Sequence, residues 1–110
     1  MKNARQLKSI PDDELIRGLS EIIRQSRRVE ADLVAHIAEV DVRRLYAREA
    51  VSSMHVYCTE ALGLTDFEAY LRITAAGASR QYPMLLTMLR DGRLHLTAVS
   101  RLASHLTQRN

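Results

Sequence analysis

One cysteine, two prolines, four glycines, one phenylalanine and no tryptophan leave this 110-residue chain short of the residues that cross-link or punctuate small folds. With Cys58 alone, an intramolecular disulfide and a Cys-x-x-Cys metal or redox motif are both excluded, a pattern expected of a reducing cytoplasm. No apolar run approaches the ~20 residues a bilayer span requires, and Met1-Lys2-Asn3-Ala4-Arg5 leads into no signal-type apolar core. The expectation is a soluble, cytoplasmic protein with no membrane partner. The length suits one domain with a single modest core. At 46% hydrophobic residues, that core must be built from Leu, Ile, Val, Ala and Met, the residues of helix packing.

Converging chemistry is lacking too. His36, His55, His95 and His105 fall on four different segments, and none has the HxxxH or HxxE spacing that sets two metal ligands on one helical face. Cys58 reads as a small apolar residue on the inner side of its helix. Glu39 and Asp41, or Glu60 and Glu68, have no pocket to raise a pKa, and no Gly-rich loop cradles a phosphate. No catalytic residue, metal or cofactor is expected.

What is present is helical periodicity with a basic second half. Sixteen Lys and Arg against thirteen Asp and Glu give a formal charge of +3, which permits nucleic acid without diagnosing it. After Glu68 the chain carries Arg72, Arg80, Arg90, Arg93, Arg101 and Arg109 against the single acid Asp91. Arg27-Arg28 and Arg43-Arg44 fit a phosphate backbone or, more simply, a solvated helix face. Tyr46, Tyr57 and Tyr70 fall beside apolar neighbours at helical spacing, as core or boundary residues do.

Residues 1–9 read as a frayed polar arm. Pro11 then opens a helix, with Asp12, Asp13 and Glu14 where the helix dipole favours acids. Its stripe is Leu15, Ile16, Leu19, Ile22 and Ile23, ending near Gln25; a second run, Val29, Leu33, Ile37, Val40 and Leu45, reaches Ala47. The two are separate helices or one continuous helix through Arg27 and Arg28. Ser52 or Ser53 caps a third helix ending at Leu62. Gly63 supplies a left-handed residue, Leu64 turns inward, and Thr65-Asp66-Phe67-Glu68 forms a capping box for a fourth helix toward Ala76. The small run Ala75-Ala76-Gly77-Ala78 lets another backbone approach it. Tyr82-Pro83 restarts the chain for a fifth helix, Asp91-Gly92 closes it, and Thr97 caps a sixth.

The predicted fold is therefore all-α with about six helices: a helical pair over 12–47, a helix-turn-helix over 52–77 and a short helical pair over 82–106. The corner at Gly63 has two readings, a helix-turn-helix that presents its second helix to a DNA major groove or an ordinary αα-corner in a small bundle. The tail from His105 to Asn110 reads as the beginning of a further turn and helix.

His36 to Tyr46, Tyr57 to Thr65, Ala69-Tyr70, Arg72-Ile73, Tyr82-Pro83 and Leu89 to Val99, with Leu102 to Thr107 behind them, closely resemble the N-terminal helical region of bacterial HNH-endonuclease-type proteins. The likeness covers most of residues 12–110. A weaker likeness links the Gly63-Leu64-Thr65 corner and Asp91-Gly92-Arg93-Leu94 to the helix-turn-helix of ParB-type partition proteins. Both imply double-stranded DNA as partner. The nuclease activity of the endonuclease-type proteins belongs to a C-terminal module that these residues do not include. Where their helix after the corner carries arginines, this chain has Leu71, Thr74, Gly77 and Gln81.

The expected function is thus a non-catalytic DNA-binding module. By helix-turn-helix convention Thr65, Asp66, Tyr70, Leu71 and Thr74 face the bases, and Arg72, Arg80, Arg93 and Arg101 hold phosphates. The alternative is a protein-interaction or dimerisation module, a homodimer pairing through residues 15–45. Stripe residues left unburied would favour it.

Overall fold

The computed structural model describes the backbone of residues 3–108 and the side chains of residues 3–105. Among these residues there is no strand, and the chain is all-α with six helices, as the periodicity predicts. The order is α1 Ala4–Leu7, α2 Asp12–Val42, a 3-10 turn Leu45–Glu49, α3 Met54–Val56 continuing into a π-helical turn Tyr57–Ala61, α4 Asp66–Gln81, α5 Met84–Asp91 and α6 Leu96–Gln108. No helix among the described residues is long and apolar enough to cross a membrane.

Of the two readings of residues 12–47, a helical pair or one helix continuous through Arg27 and Arg28, the continuous helix is the one that forms, and it stops five residues earlier, at Val42. Nothing at Gln25 to Arg28 breaks it, since neither Gly nor Pro occurs there. Its end is not marked by glycine. Arg44 and Ala50 both take left-handed conformations, φ 53° and 57°, and bracket the 3-10 turn that leads away from α2. Such a conformation costs a residue with a Cβ about 1–2 kcal/mol, so composition gives no hint of this turn.

Three smaller expectations also change. The frayed arm contains α1, whose Asn3 and Gln6 form a reciprocal capping box, while Met1 and Lys2 lie outside the described residues. α4 runs to Gln81 rather than Ala76, and α6 starts at Leu96, so Thr97 sits inside its first turn and does not cap it. The reading of the tail as a further turn and helix falls mostly outside the described side chains, with α6 continuing through Gln108.

α4 is the central element, packed on the second half of α2 and on α6, with α5 against α2. The core is Ala31, Val34, Ile37 and Ala38 of α2; Ala69, Ala75, Ala76 and Ala78 of α4; Leu85 and Leu89 of α5; Val99 and Ala103 of α6; and Met54 and Cys58. Half of these are alanine, which lets the helix axes approach closely. Alanines alone make the approach along 75–78, since a Cβ on Gly77 would meet nothing within 4 Å. Where α6 crosses α4 the buried Ser100 hydroxyl donates to the Leu71 carbonyl at 2.9 Å.

The first half of α2 takes no part in this core. A 31-residue helix is about 46 Å long, close to the 52 Å longest dimension of the molecule. The radius of gyration is 16.9 Å, whereas a compact domain of this length has about 13 Å. The difference is a projecting arm of helix.

Candidate functional site

The corner forms as its residues dictate, with one addition. Ser53 caps α3, its hydroxyl accepting from the Val56 amide at 3.1 Å. The hydroxyl of Thr59 then bonds back to the carbonyls of His55 and Val56, competing with the main-chain ladder, and the helix widens into the π-turn. Gly63 takes φ 75°, and the Leu64 amide reaches the Cys58 carbonyl at 3.0 Å. That closure spans one residue more than the usual helix-ending motif, the residue inserted by the π-turn. Leu64 packs on the core.

Behind the corner, the Thr65 hydroxyl accepts from the Glu68 amide at 3.1 Å while a Glu68 carboxylate oxygen accepts from the Thr65 amide at 2.9 Å. The backbone bond from Thr65, then the hydroxyl bond, holds the Glu68 carboxyl below the ordinary glutamate range. Cys58 beneath the corner is buried, and burial first, then the Asp41 charge, raises its thiol pKa, so it is a packing group and not a ready thiolate. Among the described residues no three His, Cys, Asp or Glu side chains gather as a metal site would require.

The base-facing candidates divide. Thr65, Asp66 and Tyr70 are exposed, but the Thr65 hydroxyl is occupied by its cap and Asp66 accepts from or pairs with His55 Nε2 at 3.1 Å. Leu71 and Thr74 are half-buried, Leu71 where α6 crosses. The outward flank of α4's first turns is Asp66, Phe67 and Tyr70, one acid and two aromatic rings with no cation.

The phosphate candidates are not gathered either. Arg72 is corrected from a phosphate ligand to a clamp: its Nη2 and Nε meet the two carboxylate oxygens of Glu30 at 2.6 and 3.1 Å, and its Nη1 donates to the Glu68 carbonyl at 3.2 Å. Both side chains of the pair are mostly buried, at 16% and 22% exposure. This bidentate pair ties α4 to α2 and leaves no donor fork for a phosphate. Arg93, in the turn after α5, pairs with Asp91 at 3.0 Å. Arg80 at the end of α4 and Arg101 on α6 are exposed, with no hydrogen bond or ion pair among the described residues.

The larger unassigned surface lies on α2. Leu15, Ile16, Leu19, Ile22 and Ile23 are 43%, 63%, 62%, 61% and 44% exposed, and Val29 is 65% exposed. The dimerisation range of 15–45 therefore contracts, because Ala31, Val34, Ile37 and Ala38 are spent in the chain's own core. At the base of the arm the stripe runs into a groove of about 590 Å³ lined by Ile23, Val29, Leu89, Leu94 and Leu96 together with the polar Ser26, Arg27, Glu30 and His95. No spacing along the chain signals this groove, since Leu89, Leu94 and Leu96 reach α2 only through the tertiary fold.

A comparison with family models finds no match for the chain, and comparisons with curated proteins and with solved structures find none either.

Proposed function

We propose that this chain is a protein-interaction module whose docking face is the apolar stripe on the projecting half of α2. One observation carries this reading: five large aliphatic side chains, Leu15, Ile16, Leu19, Ile22 and Ile23, share one helical face and are left in water. Burying a Leu or Ile side chain is worth about 1.5–3 kcal/mol, so a partner that covers the face gains several such contributions. Contiguous exposed apolar patches of this kind mark association surfaces. The test uses Leu19→Lys with Ile22→Lys, two exposed positions whose change leaves the core intact. The wild type should show either a mass that rises with concentration or binding of an apolar naphthalene sulfonate dye, and the variant should lose that behaviour while keeping its helical circular dichroism. Equal behaviour of the two proteins in both assays would overturn the reading.

Duplex DNA binding is the second reading, favoured by the capped Gly63–Thr65 corner and the helix behind it. It ranks second because phosphate contacts supply most non-specific affinity, and the outward flank of α4's first turns offers none. Arg80→Ala with Arg101→Ala should abolish a low-salt mobility shift if DNA is the ligand. On the interaction reading, the wild type gives no shift to abolish.

A further inference from the structure

The stripe reads the same from both ends. Leu15, Ile16, Leu19, Ile22 and Ile23 are spaced one, three, three and one residues apart, so the pattern maps onto itself about Leu19. On a helix turning about 100° per residue, Leu15 and Ile23 lie about 40° to either side of Leu19, and Ile16 and Ile22 about 60°. An antiparallel two-fold contact uses this property, since it sets each residue of the stripe against the position equally far from Leu19 on the other side, and whatever residue i touches on the partner is touched by i in return. A heterologous partner needs no such symmetry.

The charges choose the direction. Asp12, Asp13 and Glu14 stand at one end of the stripe, and Arg24, Arg27 and Arg28 at the other. A parallel pair would oppose acids to acids and arginines to arginines. An antiparallel pair crossing at Leu19 brings Asp12 and Asp13 to the flank on which the partner's Arg24 and the partner's Arg27 lie. Arg24 is well exposed there, bonded only within its own helix to Glu21 at 2.7 Å. In the same register the groove at the base of the arm stands opposite the partner's residues 8–12, where Ile10 and Pro11 are the apolar positions.

From this we infer that the partner of the α2 face is a second copy of the same chain, docked antiparallel about Leu19. The inference rests on the interaction reading and narrows it to one occupant and one register. Leu15 packs on the partner's Ile22, Ile16 on the partner's Ile23, and Leu19 on its own symmetry mate. The contact is one short run of helix per copy, at the small end of specific interfaces, so dimerisation falls in the micromolar range on the order of 1–100 µM.

Cross-linking of single-cysteine variants tests both partner and register, with the buried Cys58 retained and the wild type as control. Mass by light scattering is followed from about 1 µM to 1 mM, a span that brackets such affinities. The mass should double, and oxidation should give a covalent dimer for Leu19→Cys but not for Leu15→Cys. In the antiparallel register two copies of residue 15 are about 12 Å apart along the axis, beyond the ~7 Å Cα separation a disulfide spans. Asp13→Lys and Arg24→Glu should each weaken homodimers roughly three- to tenfold, and a one-to-one mixture of the two should restore association. Equal cross-linking at 15 and 19 would overturn the antiparallel register and leave the interaction reading standing. A monomer at every concentration that still binds the apolar dye would exclude a second copy and point to another protein on the same face. A monomer that binds no dye would remove the interaction reading itself.

Discussion

Thr65 and Glu68 illustrate how far a four-residue pattern can be read. Each satisfies the other's amide, and the exposed carboxylate is held in its charged form by those bonds. A carboxyl whose folded pKa is depressed contributes stability above its unfolded pKa and loses it as pH falls through the folded value. The stability of the wild type should therefore drop as the pH is lowered below about 4.3, the ordinary glutamate value. Glu68→Gln keeps an acceptor for the capping box but cannot titrate, so its unfolding curves at pH 6 and pH 3 should differ less than those of the wild type. Thr65→Ala should cost about 1 kcal/mol at neutral pH, the usual loss for a helix cap. Urea titrations at the two pH values measure both.

Arg72 is the residue whose role sequence reasoning missed. Read along the chain it is one arginine in a basic half; in the fold it is the donor fork for Glu30, forty-two positions earlier. Its mostly buried position means that Arg72→Ala leaves the Glu30 carboxylate unpartnered, a loss of about 1–3 kcal/mol. In a double-mutant cycle with Glu30→Gln the two losses should be less than additive, whereas a phosphate ligand would show no coupling in the free protein.

At the scale of elements, local chemistry made the starts of α3, α4 and α5 and the end of α5 legible. Ser53, Thr65, Pro83 and Gly92 each have a backbone reason to be where they are, and Gly63 and Gly92 take φ 75° and 79° as helix-ending glycines do. The end of α2 was hidden because Arg44 and Ala50 do the work of glycine there. More telling is that the periodic run of α2 is the same kind of stripe from Leu15 to Ile37, yet only its second half meets α4 and α5. Periodicity states which residues share a face; only the packing of other helices states whether the face is covered. The stripe was visible in sequence and the exposure of its first half was not.

The projecting half of α2 also has a weak point within it. Gly18 lies in the middle of the exposed stretch, and a Cβ there would meet nothing within 4 Å. Glycine in a helix interior costs about 0.5–1 kcal/mol relative to alanine. Gly18→Ala should accordingly slow amide exchange over residues 12–28 while leaving that of α4 and α6 unchanged. Uniform slowing across all helices would mean that the arm and the bundle open as one unit.

For the molecule as a whole, the separation of arm from core gives the interaction reading its thermodynamic signature. The core helices are tied by Val34, Ile37, Val99 and the Arg72–Glu30 pair, all of them outside the exposed stripe of residues 15–23. A chain whose stability came only from that core would unfold at one temperature whatever its concentration. If the exposed face is covered by a second copy, association binds the folded state and not the unfolded one, so the midpoint must rise with protein concentration by mass action. Leu19→Lys with Ile22→Lys removes the face but no core contact, so its intrinsic stability should stay within about 0.5 kcal/mol of the monomeric wild type, as surface substitutions do. Thermal unfolding of both proteins over a hundredfold concentration range decides the matter. A midpoint that climbs for the wild type and stays flat for the variant places the stabilising contact on α2, and a flat line for both confines the stability of this protein to its small alanine-rich core.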